Sequence, residues 1–103
     1  MKTGIELITE ERLEQIEKHG RSISEDVMNN SEFQLLQAAN ALTYFEFSSE
    51  VATNAYRPYG WNLEIWRRMC NKKYKERLII AGALIAAEID RLQNSPPNPQ
   101  EKP

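Results

Sequence analysis

The chain holds one cysteine, Cys70, and one histidine, His19, in 103 residues. A lone cysteine excludes an intramolecular disulfide, and a reducing compartment, the cytoplasm, is the expected location. One Cys and one His also exclude a Cys/His zinc site within a single chain and make a Cys–His nucleophilic pair a poor prospect. Any metal would be held through oxygen, which points to Mg²⁺, Mn²⁺ or Ca²⁺. Glycine is scarce, at four residues, and no segment alternates apolar with polar residues over strand length. Both facts count against a sheet. The most apolar stretch, Leu78 to Ile89, falls well short of the ~20 residues that a membrane span needs. Met1 to Glu11 has no apolar run of signal-peptide length, so no membrane segment is expected. There is no Gly-rich phosphate loop, no G-x-S-x-G, no H-E-x-x-H and no EF-hand loop.

What is present reads as an ordinary globular composition, 41% hydrophobic and 27% charged. The length suits one helical domain over residues 1–94, with a Pro-rich tail over 95–103 that is expected to be disordered. A domain this small buries only about 60–70% of its unfolded surface, and self-association is a common remedy.

The net charge of −2 hides an asymmetry. Residues 1–56 carry ten acids against four bases, whereas residues 57–77 carry seven bases against two acids. The acidic part suits a divalent cation and the basic part suits phosphate, although two solvated faces would give the same count.

Helix signals divide the chain. Thr9 reads as the N-cap of a first, mostly polar surface helix to His19, with Glu10 and Glu11 in its first turn and Leu13 and Ile16 on its apolar stripe. Gly20 fits the position after its C-terminus. Ser31-Glu32-Phe33-Gln34 has the form of a capping box before a second helix reaching about Phe47, which is apolar nearly all round. Ser49 to Ala55 has room for a helical turn, and Arg57 to Gly60 reads as a turn. A short helix over Trp61–Cys70 would place Trp66 and Met69 inward, and a last helix runs from about Lys72 to Gln93. The expected fold is all-α, with three main helices plus a short one. Two helices this apolar predict a homodimer, or a higher assembly, that completes a four-helix-type bundle.

Several residues can carry chemistry. Glu11 and Gln15 lie four apart and share a helix face. Glu32 stands four before Leu36, toward the interior. Glu88 projects from the stripe Ala81, Leu84, Ile85 and Leu92, where a carboxylate must be paired, protonated or metal-bound. Glu11, Glu32 and Glu88 from facing helices form a candidate set for Mg²⁺ or Mn²⁺, with Gln15 as a carbonyl ligand or positioning group. A plainer role remains open for each: Glu11 and Glu32 can serve helix N-termini, and Glu88 can pair with an arginine. In the basic segment, Arg67, Arg68 and Lys73 are candidates for phosphate, and Trp61 and Trp66 for stacking on a base. Those tryptophans can equally close the end of the core. The same segment could hold nucleic acid; the negative net charge weighs against that only weakly, because binding depends on the local patch.

Taken together, Glu11-Arg12-x-x-Gln15-Ile16, Ser22, Asp26, Glu32-Phe33, Ala38-Ala39, Trp61, Trp66 and above all Arg77-Leu78-Ile79-x-Ala81-Gly82-Ala83-Leu84-Ile85-x-Ala87-Glu88-Ile89-Asp90-Arg91-Leu92 resemble a family of short phage- and prophage-encoded proteins. The resemblance covers about residues 8–92. That family is similar, at a distance, to the MazG-like all-α nucleotide pyrophosphohydrolases, which cleave nucleoside triphosphates to monophosphate and pyrophosphate. The resemblance implies metal-binding roles for Glu11, Glu32 and Glu88, assisted by Gln15 and Arg12. It also implies a nucleotide as the ligand.

Overall fold

The computed structural model describes residues 1–19, 30, 33–44 and 50–94. Among them are five helices and no strand: α1 (Gly4–His19), α2 (Gln34–Tyr44), α3 (Glu50–Ala55), α4 (Leu63–Cys70) and α5 (Tyr74–Asn94). The all-α expectation holds for them. None of these helices is long and apolar enough to cross a membrane.

The first helix starts earlier than its sequence suggested. Thr3 and Glu6 form the capping box: the Glu6 amide donates to Thr3 Oγ1 at 3.2 Å and the Thr3 amide to Glu6 Oε1 at 3.3 Å. Thr9 lies inside the helix, its hydroxyl donating to the Ile5 carbonyl at 2.8 Å. Glu10 and Glu11 therefore sit mid-helix, away from the positive end of the dipole. The buried face differs too. Ile8, Arg12 and Gln15 follow one another at helical spacing against α5, while Leu13 stays 49% exposed. Gly20 lies outside the described residues.

The second helix is described over Gln34–Tyr44; Phe45 to Phe47, into which the sequence would carry it, lie outside the described residues. Phe33 has φ of 67°, a left-handed conformation that a bulky residue adopts only under constraint. Phe33 itself is therefore not helical, Ser31 and Glu32 of the expected capping box lie outside the described residues, and the Phe33 carbonyl accepts the first helical bond, from the Gln37 amide at 2.9 Å. Nor is α2 apolar all round in its setting. Leu35, Ala38, Ala39, Ala41 and Leu42 are buried, while Leu36 and Tyr44 face outward.

The core forms where α2 lies along α5. The small side chains of Ala38, Ala39 and Ala41 share one cluster with Ala81 and Ala87, and Leu35, Leu42 and Leu84 complete it. Arg77, near the start of α5, donates to the Leu42 carbonyl at 3.2 Å. That carbonyl is one of the four that the end of α2 leaves without a helical partner. The contact places the end of α2 at the start of α5, so the two helices are antiparallel. On another side of α5, Ile8 packs so tightly on Gly82 that a Cβ there would lie 2.6 Å from Ile8 Cδ1. Contacts from Ile8 to Gly82 and from Arg12 to Asp90 advance in the same direction along α1 and α5.

The aromatic segment closes one end. The Trp61 amide donates to the Pro58 carbonyl at 3.1 Å, across a turn whose third residue, Gly60, has φ of 81° and so requires glycine's freedom. Asn62 caps α4, accepting from the Ile65 amide at 3.0 Å. This directs Trp66, Met69 and Cys70 inward. Along the outside of α5, Leu78, Ile85, Ile89 and Leu92 fall on one stripe and are each 40–51% exposed.

Candidate functional site

The buried polar residues concentrate where α1 meets the second half of α5. Glu88 and Arg91, three apart on α5, form a two-pronged pair: Arg91 Nε donates to Glu88 Oε1 at 2.6 Å and Nη2 to Oε2 at 2.9 Å. Both residues are buried. A carboxylate and a guanidinium buried this deeply are tolerated because each completes the other's hydrogen bonds. From α1, Arg12 Nη2 reaches Asp90 Oδ2 at 3.3 Å. One turn on, Gln15 Nε2 donates to Glu11 Oε2 at 3.2 Å. The other end of that amide, Gln15 Oε1, is buried without a donor, and an unsatisfied buried acceptor carries a cost of about 1–3 kcal/mol. Gln34, at the start of α2, is buried as well. Because α2 and α5 are antiparallel, it lies toward the same half of α5.

Two of the three expected acids, Glu11 and Glu88, thus come from packed neighbouring helices. Glu32 lies outside the described residues. Glu88 does pair with an arginine, as its plainer role required, but the partner is on its own helix. Asp90 and Arg91 were not singled out from sequence, yet the i, i+3 spacing of Glu88 and Arg91 was available as a signal. Among the described residues no three His, Cys, Asp or Glu side chains gather into a set able to hold a metal ion. The Gln15 oxygen without a donor lies in the same helix turn as Glu11, and oxygen ligands are those that Mg²⁺ and Mn²⁺ take.

The basic and aromatic candidates lie elsewhere. Trp66 is fully enclosed, with its indole N–H donating to the Thr53 carbonyl at 2.8 Å. Trp61 donates to Asn30 Oδ1 at 2.8 Å and meets Trp66 edge to face, with ring centres 6.0 Å apart. Both rings pack the end of the core, and neither presents an open face to a base. Arg67 pairs with Glu64 at 3.1 Å on the exposed side of α4, while Arg68 and Lys73 are exposed. Lys73 precedes α5 and Glu88 lies well along it, a rise of roughly 22 Å at 1.5 Å per residue. Within one chain these bases do not join the acids in a single site. Arg77 leaves the basic surface altogether: it is buried, on the Leu42 carbonyl and over the Tyr74 ring at 5.5 Å.

Cys70 is buried beside this end of the core. Desolvation pushes its thiol up to about 12, although the Arg77 charge pulls the other way. At neutral pH it is a protonated, inert packing group.

Compared with known proteins, the chain matches no family model, no curated protein and no solved structure.

Proposed function

We propose that this chain is a nucleotide pyrophosphohydrolase-like protein, of the MazG-like phage and prophage type that its sequence resembles, with its site in the buried polar cluster of α1 and α5. The observation that carries the reading is the Gln15 carbonyl oxygen, buried without a donor one turn from Glu11. Buried acceptors without a donor are few in native proteins, and a bound ion is one way to satisfy such a group. Glu11, Gln15 and Glu88, with Glu32, would hold Mg²⁺ or Mn²⁺. The ion would supply charge neutralisation on a (d)NTP phosphate and activation of water. Arg12 and Arg91, the two buried guanidinium groups of the cluster, orient the acids beside them.

The test is pyrophosphate release from a panel of NTPs and dNTPs with Mg²⁺ or Mn²⁺, beside Glu11→Gln and Glu88→Gln variants. Turnover by the parent and its loss in both folded variants is the expected result. No release from any nucleotide sinks the reading.

The Glu88–Arg91 pair favours a second reading, a non-catalytic helical interaction protein, because both Glu88 oxygens already carry guanidinium N–H groups. In that reading the exposed α5 stripe is the working surface, covered by a second copy in a four-helix arrangement. Stabilisation by Mg²⁺ or Mn²⁺ that vanishes in Glu88→Gln separates the two readings.

A further inference from the structure

The aromatic residues divide sharply. Both tryptophans are buried, yet all four tyrosines of the chain, Tyr44, Tyr56, Tyr59 and Tyr74, are exposed, the most open being Tyr59 at 80% and Tyr44 at 78%. Isolated exposed aromatics need no explanation. These four, however, accompany the only basic segment of the chain.

Their placement follows from contacts already described. Arg77 joins the end of α2 to the start of α5, so Tyr44, the last residue of α2, lies at the end where α5 begins. Tyr74 opens α5, and Lys72, Lys73 and Lys75 flank it, all exposed. One turn back on the outer face of α2, Asn40 and Gln37 line a groove of about 430 Å³ with Tyr56 and Arg57. Among the described residues no acid lines that groove. Arg57 is aimed by a bond from Nη1 to the Trp61 carbonyl at 2.9 Å, which leaves other guanidinium N–H groups for an anion. Of the acids described near this end, Glu64 is engaged by Arg67 and Glu76 stands outward on α5.

We propose that this face, from the Arg57 and Tyr56 groove past Tyr44 to the lysines before α5, binds single-stranded nucleic acid. Lysine and arginine track a phosphate backbone, exposed tyrosines stack on unpaired bases, and the carboxamides of Gln37 and Asn40 accept and donate to base edges. A duplex, with its bases stacked internally, uses only the charge. The surface is distinct from the α1 and α5 cluster and does not depend on the activity proposed for it.

The full chain is titrated against a labelled 12-nucleotide oligo-dT, and against a duplex of the same length, following fluorescence anisotropy between 50 and 200 mM salt. The expected result is binding of the single strand in preference to the duplex. Its log affinity falls with log salt at a slope of about −0.7 per phosphate contact. Tyr44→Ala and Tyr56→Ala are each expected to weaken binding about tenfold, and Lys72→Gln/Lys73→Gln/Lys75→Gln more than tenfold. All of these changes lie on the exposed surface, and circular dichroism verifies that the variants are folded. The proposal is overturned by no binding at 50 mM salt with 100 µM protein (about the weak limit of non-specific binding). It is equally overturned by tyrosine variants that bind like the parent, or by equal affinity for the duplex, which would reduce the face to a general attraction for polyanions.

Discussion

Arg91 grips both carboxylate oxygens of Glu88, at 2.6 and 2.9 Å, from three residues along the same buried helix face. The pair is local in sequence, so it forms with the helix and does not depend on the docking of α1. What the fold adds is the removal of water, since both side chains are buried. Truncating one partner then strands the other: Arg91→Met is expected to cost about 3–5 kcal/mol. Arg91→Met combined with Glu88→Gln should recover much of that loss. Urea denaturation of the parent, both single variants and the double variant gives the coupling directly; additive losses would mean that the two side chains are not a closed pair.

Gly82 sets the distance between α1 and α5. In an isolated helix, Gly→Ala gains about 1 kcal/mol. Here the new Cβ would lie 2.6 Å from Ile8 Cδ1 and 2.9 Å from Ile8 Cγ1, so Ile8 must shift, and overpacking of this kind costs about 1–3 kcal/mol. Gly82→Ala is expected to destabilise the parent and to stabilise an Ile8→Ala background. The sign reversal, read from denaturation midpoints, is the decisive outcome.

Cys70 should behave as a core atom. Its folded thiol is raised from the ordinary value of 9.0 to about 12, chiefly by desolvation. The unfolded chain therefore releases this proton first. Its contribution to stability is complete below pH 9 and is lost as pH rises from 9 toward 12. A thiol reagent at pH 8 is expected to label the folded protein only at the rate of opening, and the denatured protein at once. Cys70→Ala should flatten the alkaline limb of the stability profile.

The stripe of Leu78, Ile85, Ile89 and Leu92 leaves half-exposed aliphatic carbon along α5. Self-association through it is expected at micromolar concentration, with Ile85→Glu/Ile89→Glu giving a folded monomer. Light scattering across a concentration series checks this. A parent that stays monomeric throughout removes the dimer.

The helical class and the two helices over Leu63–Asn94 were legible because local signals agree there: Gly60 in its turn and an apolar run with alanines where α2 approaches; Asn62, the cap of α4, was not read as one, and the helix was expected from Trp61. The start of α1 was misread because two cap signals compete. Thr9-Glu10-Glu11 looks acidic and capped, yet Thr3 and Glu6 form the reciprocal bonds. The face of α1 was misread for a different reason. Periodicity counts apolar residues, and here the buried positions are Arg12, which reaches Asp90 on another helix, and Gln15, whose amide N–H reaches Glu11 one turn away while its oxygen stays without a donor. For the same reason Glu88 was found while its partner was not: an apolar stripe advertises an intruding carboxylate, but an arginine at its edge looks like surface. The separation of the basic residues from the acids depends on the length of α5 and on which end α4 closes, neither of which a local pattern records.

The division of aromatics also makes the molecule its own optical instrument. The two indoles, enclosed and hydrogen-bonded to Asn30 and the Thr53 backbone, sample only the packed interior, and their emission should shift to the red only when that end of the core opens to water. The phenols sample only the surface. A ligand stacking on the outer face should quench tyrosine and leave the indole maximum where it was, whereas a change in the core should do the reverse. Surface binding and core disruption can thus be told apart within one unlabelled sample.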